Sequence, residues 1–132
     1  MPLFQHAILV DDSKLANIVT SKMLEKSGIA SEIVLFSGAQ EALTFLKSQG
    51  PNAFSQKQLL LLDIYMPGMD GFGFLEAFGT LEEEVQKSWK IFMLSSSISP
   101  DDIQRAESHP LVEGFLMKPL TNSFFTQFPA IA

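Results

Sequence analysis

Short apolar runs alternate along the chain with segments whose apolar residues recur at helical spacing. One of these runs, Leu59–Leu62, consists of leucine alone and does not alternate with polar residues, which is typical of a strand that is covered on both faces. Five strands interleaved with helices predict a parallel sheet with helices on both sides. The predicted strands are Ala7–Val10, Ile33–Phe36, Leu59–Leu62, Ile91–Leu94 and Phe115–Met117.

The segments between these runs carry helix signals. Leu15, Ile18, Val19 and Met23 share one helical spacing, and Gly28 is suited to end that helix. Asp70-Gly71 predicts a turn into the third helix, and Gly79-Thr80 an interruption after it. Two further helix starts are predicted by capping boxes, at Ser37 to Gln40 and at Thr80 to Glu83. Ser99-Pro100 predicts another helix start, and Thr121 to Phe128 is predicted to form a last helix.

The amino-acid composition excludes several classes of functional site and partner. A length of 132 residues fits one domain, and the absence of cysteine excludes disulfides, thiolate catalysis and cysteine zinc sites. A net charge of -6 with a single arginine excludes the basic footprint of a nucleic-acid binder and the attraction to anionic lipid. The sequence starts without a signal-peptide pattern, and no apolar run has membrane-span length. We therefore expect a cytoplasmic protein.

Polar residues end four of the five predicted strands. Asp11 and Asp12 end the first, Asp63 the third, Ser95 the fourth and Lys118 the fifth. Because the carboxyl ends of parallel strands share one edge, we expect these side chains to converge there. Capping of the next helix accounts for one acid of the Asp11-Asp12 pair and leaves the second unexplained.

The charge of this cluster indicates a missing cation. Three carboxylates face one ammonium group, and a divalent cation would bring the cluster near neutrality. Carboxylate ligands without histidine or cysteine suit Mg²⁺, which often serves phosphate chemistry. A carboxylate beside Mg²⁺ can attack phosphorus to form an aspartyl phosphate, while a lysine and a hydroxyl bind phosphoryl oxygens.

Four segments, in register over nearly the whole chain, resemble the receiver domain of two-component response regulators. The resemblance implies a flavodoxin-like α/β fold, (βα)5 and doubly wound, with a parallel five-stranded sheet in the order 2-1-3-4-5. It also implies a single receiver domain over residues 1–132 with no effector domain. The segments are Ile-Leu-Val-Asp11-Asp12, Leu-Leu-Leu-Asp63-Ile-Tyr-Met-Pro67-Gly-Met-Asp70-Gly71, Phe-Met-Leu-Ser95-Ser96 and Gly114-Phe115-Leu-Met-Lys118-Pro119.

The resemblance also implies roles for the site residues. Asp63 is the phosphoacceptor and Lys118 pairs with the phosphoryl group. Asp12 and Asp63 ligate Mg²⁺, Asp11 assists through water, and the backbone carbonyl of Tyr65 is a further ligand.

Ser95 and Phe115 are the switch residues that the resemblance implies, and the Lys118-Pro119 bond is cis. Ser95 stands where the family more often has threonine, so its χ1 is less restricted. Phe115 lacks the hydroxyl of a tyrosine. Tyr65, two positions after Asp63, is bulky where the family controls water access, and we hypothesise that it slows loss of the phosphoryl group.

The expected function is that of a stand-alone response regulator. A sensor histidine kinase or a phosphotransfer protein donates to Asp63, which remodels a face made by the fourth helix (the one after the fourth strand), the fifth strand and the fifth helix. An unidentified downstream protein reads that face, and a homodimer is left open. Such a domain is not an enzyme but assists its own phosphorylation and dephosphorylation.

Three alternatives remain open from the sequence. One is a non-phosphorylated interaction module with the same fold. The others are a phosphatase with an aspartyl-phosphate intermediate and a flavin carrier, although Asp11 and Asp12 would repel a flavin phosphate.

Overall fold

Five strands and five helices alternate in the computed structural model, which describes residues 4–49, 58–96, 99–118, 120 and 124. The first, second and fifth strands each begin three residues before the apolar run from which that strand was predicted. The elements are β1 (Phe4–Val10), α1 (Lys14–Ser27), β2 (Ala30–Phe36), α2 (Ala39–Gln49), β3 (Gln58–Asp63), α3 (Gly71–Phe78), α4 (Glu83–Lys87), β4 (Trp89–Ser95), α5 (Pro100–Ser108) and β5 (Val112–Met117).

The strands form one parallel sheet in the order β2-β1-β3-β4-β5. The predicted flavodoxin-like order is therefore confirmed. At the carboxyl edge, Asp63 of β3 lies opposite Leu94, and Ser95 of β4 lies opposite Met117 of β5. The register thus brings the polar ends of three strands to one edge.

A hydrophobic core lies on each face of the sheet. In β3, Leu60 and Leu62 face a core formed with α2, α3, α4 and α5, whereas Leu59 and Leu61 face a core that includes Leu24 of α1. All six residues of β3 are buried, as the unbroken leucine run predicts. Burial on both faces holds this strand, and Asp63 at its end, in a fixed position.

Helix α1 has the predicted length, but most of its predicted apolar stripe faces solvent, and of the four residues only Met23 packs partly against the core. Gly28 ends it in the left-handed conformation, with φ of 70°, which glycine adopts without strain. Leu15 is 72% exposed, and Ile18 and Val19 are also exposed. A stripe of this spacing normally faces a core. In α1 the face toward the core instead carries Asn17, Thr20 and Leu24.

The predicted helix starts were right at Ser99 and wrong at Thr80. Ser99 accepts a hydrogen bond from the amide of Asp102 and caps α5, with Pro100 in the first turn. Helix α4 begins at Glu83 with no side-chain cap, because the Thr80 hydroxyl donates to the Ala77 carbonyl instead. Helix α2 begins at Ala39.

Two predictions fall largely outside the described residues. Of the predicted last helix, Thr121 to Phe128, only Phe124 is described, and it is buried with its ring edge-on to Phe92 at 5.4 Å. The predicted cis bond at Pro119 also lies outside them. Among the helices described, none has the length and apolarity to span a membrane.

Candidate functional site

Three carboxylates meet at the carboxyl edge of the sheet. Asp11 and Asp12 directly follow β1, and Asp63 ends the neighbouring strand β3. One oxygen from each lies within 4.8 Å of the others. Asp11 and Asp63 are 5% and 6% exposed, whereas Asp12 is exposed. The predicted convergence of these three residues is therefore present in the fold.

Helix capping explains neither of the paired acids. The hydroxyl of Ser13 caps α1 by accepting from the Ala16 amide at 3.2 Å, so the expectation that one acid would serve as the cap was wrong. The Asp11 amide donates to the Phe36 carbonyl, and the Asp11 carbonyl accepts from the side chain of Asn17. Asp11 is thus fixed by β2 and α1, and its carboxylate accepts from the Ser13 amide through Oδ1 while Oδ2 contacts Lys118.

Lys118 bridges two of the acids. Its Nζ lies 2.6 Å from Oδ2 of Asp11 and 3.1 Å from Oδ1 of Asp63. The backbone amide of Lys118 donates to the Ser95 carbonyl at 3.0 Å, which fixes the start of this side chain beside the end of β4. The ammonium group therefore lies between the two buried carboxylates, which come from different strands.

The surroundings of Asp63 disfavour its charge. Burial and the nearby Asp11 carboxylate raise the pKa of Asp63 to about 6, although Lys118 opposes the change. Burial alone would lower the pKa of Lys118, but its hydrogen bonds to Asp11 and Asp63 outweigh burial and raise it. One ammonium group is thus too little to balance the negative charge here.

The donor set fits a hard divalent cation. Three carboxylates against one ammonium group leave a net charge of about −2, which one divalent cation would neutralise. The donors of Asp11, Asp12 and Asp63 are all oxygen atoms, which Mg²⁺ prefers. The raised pKa of Asp63 is a second sign that positive charge is missing.

The loop after β3 is held close to the site by Gly71. A Cβ atom on this residue would lie 2.7 Å from the carbonyl oxygen of Asp63 and 3.0 Å from Cα of Ile64. The Gly71 amide donates to the Ile64 carbonyl, and Asp70 caps α3 by accepting from the Gly73 amide at 2.8 Å. Asp70 and Gly71 are therefore structural, as the sequence predicts.

The remaining predicted residues lie around this cluster. Ser95 is buried at the end of β4, and Phe115 of β5 is half-buried against the core that contains α2 and α3. Tyr65 is 54% exposed, and its hydroxyl donates to a carboxylate oxygen of Asp102 on α5. No sequence signal predicts this contact, because Asp102 is an ordinary acid for the first turn of a helix.

The comparison with protein families decides the assignment. The family model of the response regulator receiver domain matches residues 7–127. The chain belongs to the response regulator receiver family. Receiver domains take part in phosphoryl transfer with histidine kinases and phosphotransfer proteins and bind Mg²⁺ at an acidic pocket. The acidic cluster of this receiver occupies the carboxyl edge of the sheet.

Known proteins support the same assignment. A response regulator receiver protein from Dyadobacter fermentans has a TM-score of 0.85, 33% identity, and coverage of 96% of this chain and 97% of that one. The probable methanogenesis regulatory protein FilR2 of Methanothrix harundinacea is 27% identical over 86% of this chain and 72% of its own length. The sensory/regulatory protein RpfC of Xanthomonas campestris is 24% identical, and the chain spans only 14% of its length.

Proposed function

We propose that this receiver accepts a phosphoryl group on Asp63 from the phosphohistidine of a sensor histidine kinase or a phosphotransfer protein. The observation that carries the proposal is the bridge from Lys118 to Asp11 and Asp63. The bridge supports the proposal because a carboxylate that can act as a nucleophile lies beside an ammonium group that can bind phosphoryl oxygens, in a cluster with unbalanced negative charge.

In the transfer, an oxygen of Asp63 forms a bond to phosphorus while the bond from phosphorus to the donor imidazole nitrogen breaks. The electron pair of that bond stays on the nitrogen. Lys118 leaves Asp63 to bind a phosphoryl oxygen, and the hydroxyl of Ser95 donates to another. Asp12, Asp63 and the Tyr65 carbonyl would hold Mg²⁺, with Asp11 acting through water, and the bound cation would supply positive charge to neutralise the transferring group.

The proposed output is a change of shape at one side of the molecule. Movement of Ser95 toward the phosphoryl group lets Phe115 become more buried, which alters the surface of α5, β5 and the segment after β5. A downstream protein reads that surface, and a second copy of the chain is one such partner. The domain acts as a signalling element that assists its own phosphorylation and dephosphorylation.

The test is phosphoryl uptake from a small donor. The protein is incubated with acetyl phosphate and Mg²⁺, and its intact mass is measured beside Asp63→Asn and Asp70→Asn. The second variant is the matched control, since asparagine still caps α3. Uptake of one phosphoryl group by the wild type and Asp70→Asn, abolished by EDTA and by Asp63→Asn, is the expected result.

If the wild type takes up no phosphoryl group, binding of a phosphoryl mimic is measured next. Equal uptake by Asp63→Asn would contradict the choice of phosphoacceptor. No uptake from acetyl phosphate, followed by no binding of beryllofluoride with Mg²⁺, would favour the non-phosphorylated interaction module.

A further inference from the structure

A carboxylate on α5 holds the tyrosine that lies beside the proposed phosphoacceptor. Tyr65 comes two residues after Asp63, and its hydroxyl donates to Asp102 in the first turn of α5. The residues on either side of Tyr65, Ile64 and Met66, are buried, so its backbone is fixed while its ring is 54% exposed. The position of the ring is therefore set by its contact with Asp102.

This contact places the ring across one side of the site. Strand β4 is the neighbour of β3, and α5 follows β4 in the chain. Tyr65 therefore links the loop after β3 to the helix that follows the neighbouring strand, whose last residue is Ser95. A ring held on α5 in this way can limit solvent access to Asp63 from that side.

The acceptor itself is held in place. The Asp102 amide donates to the Ser99 hydroxyl that caps α5. One turn further along, the guanidinium carbon of Arg105 lies 3.9 Å from the centre of the Phe72 ring on α3. Cation–π contacts of this kind contribute to fixing one element against another. Asp102 is therefore presented to Tyr65 by a helix that is anchored to α3.

We propose that Asp102 is a positioning residue that lengthens the life of the phosphorylated state by holding Tyr65 over the site. The inference rests on the proposed phosphorylation of Asp63. In hydrolysis, a water oxygen forms a bond to phosphorus while the bond from phosphorus to the Asp63 oxygen breaks. The electron pair returns to the carboxylate, a water proton passes to solvent, and inorganic phosphate leaves. A held ring restricts the approach of that water, whereas a released ring rotates toward solvent.

The test compares lifetimes of the phosphorylated protein after removal of acetyl phosphate, with Mg²⁺ present. Asp102→Ala and Tyr65→Phe each remove the hydrogen bond, and each is expected to shorten the lifetime by roughly threefold, the effect of one modest hydrogen bond. The double variant should be no faster than either single variant. Asp102→Asn, which keeps an acceptor oxygen, should restore most of the lifetime.

Asp101→Ala is the matched control. It removes the same charge from the same helical turn, and Asp101 is exposed. Equal lifetimes for Asp101→Ala and Asp102→Ala would overturn the inference while leaving the proposed function intact. No phosphoryl uptake by the wild type, followed by no binding of beryllofluoride with Mg²⁺, would overturn both. Because Tyr65 is the single tyrosine, its ring resonances report on the contact without phosphorylation. They should shift in Asp102→Ala but not in Asp101→Ala, and a shift in neither would also overturn the inference.

Discussion

At the scale of single residues, the site is governed by the balance of charge around Asp63. Burial and the Asp11 carboxylate raise its pKa to about 6, and Lys118 limits the rise. At neutral pH the carboxylate is still largely ionised, as the proposed phosphoacceptor must be. Its ionisation therefore destabilises the folded protein, and positive charge brought to the site offsets this cost.

The stability of the metal-free protein should depend on Asp63 in a defined pH range. The pKa is about 6 in the folded protein and close to the ordinary 3.8 in the unfolded chain. Between these values the folded state binds more protons, so the free energy of unfolding falls as pH rises from about 4 to about 6. Asp63→Asn removes this loss, and we expect it to be more stable than the wild type by about 1 kcal/mol at pH 7, after allowance for solvent screening.

Urea unfolding at pH 4.5 and pH 7 in EDTA measures this difference. Asp70→Asn is the control, because it removes a carboxylate but keeps the cap of α3. Added Mg²⁺ should stabilise the wild type and not Asp63→Asn. A metal-free Asp63→Asn protein less stable than the wild type at pH 7 would contradict the assigned balance of charge.

At the scale of elements, α1 is the helix whose surface requires explanation. Its exposed residues Leu15, Ile18 and Val19 form an apolar patch, with Leu15 the most exposed. The patch begins three residues after Asp12, so it borders the opening of the site. Exposed apolar patches of this kind are typical of protein–protein contacts. We expect a phosphodonor protein, which must bring its phosphohistidine to Asp63, to contact this patch.

Leu15→Asp should therefore separate protein donors from small ones. We expect phosphoryl transfer from a phosphohistidine protein to fall by about tenfold, because an apolar contact is replaced by a charge. Uptake from acetyl phosphate should stay unchanged, since Leu15 is outside the core. Both rates can be measured by intact mass, with Thr44→Asp on the exposed face of α2 as the control. Equal losses with both donors would exclude a docking role for the patch.

At the scale of the whole molecule, we expect the sheet to carry the proposed signal from Asp63 on β3 to β5 at the edge of the sheet. Asp63 ends β3, and Ser95 and Phe115 lie on β4 and β5. Helix α5 is tied to the loop after β3 by the Tyr65–Asp102 contact. A change at Asp63 therefore has two routes to α5, one through β4 and β5 and one through Tyr65.

Hydrogen exchange should show that the change at Asp63 affects the side of the molecule with α5 and β5 and not the other side. With Mg²⁺ and beryllofluoride, we expect exchange to change at the amides of α5 and β5 and to stay constant at α2, which contacts β2 at the other end of the strand order. Asp63→Asn should show no change under the same conditions. A uniform change over the sheet and all described helices would argue for general stabilisation rather than a switched face.

The sequence by itself determined the parallel sheet, because apolar runs and helical periodicity depend only on local spacing. It also identified Asp11, Asp12, Asp63 and Lys118, since the ends of parallel strands must share one edge. Only the tertiary structure decided which of several possible side chains caps a helix. Ser13 caps α1 in place of an aspartate, and the capping box predicted at Thr80 is absent.

The exposed face of α1 and the contact between Tyr65 and Asp102 also depended on the tertiary structure. Helical periodicity gives a helix its apolar stripe but does not say which face the sheet will cover. Asp102 lies 37 residues from Tyr65, and no spacing rule relates them. Their meeting follows from the packing of α5 beside the loop after β3, which is a property of the assembled molecule.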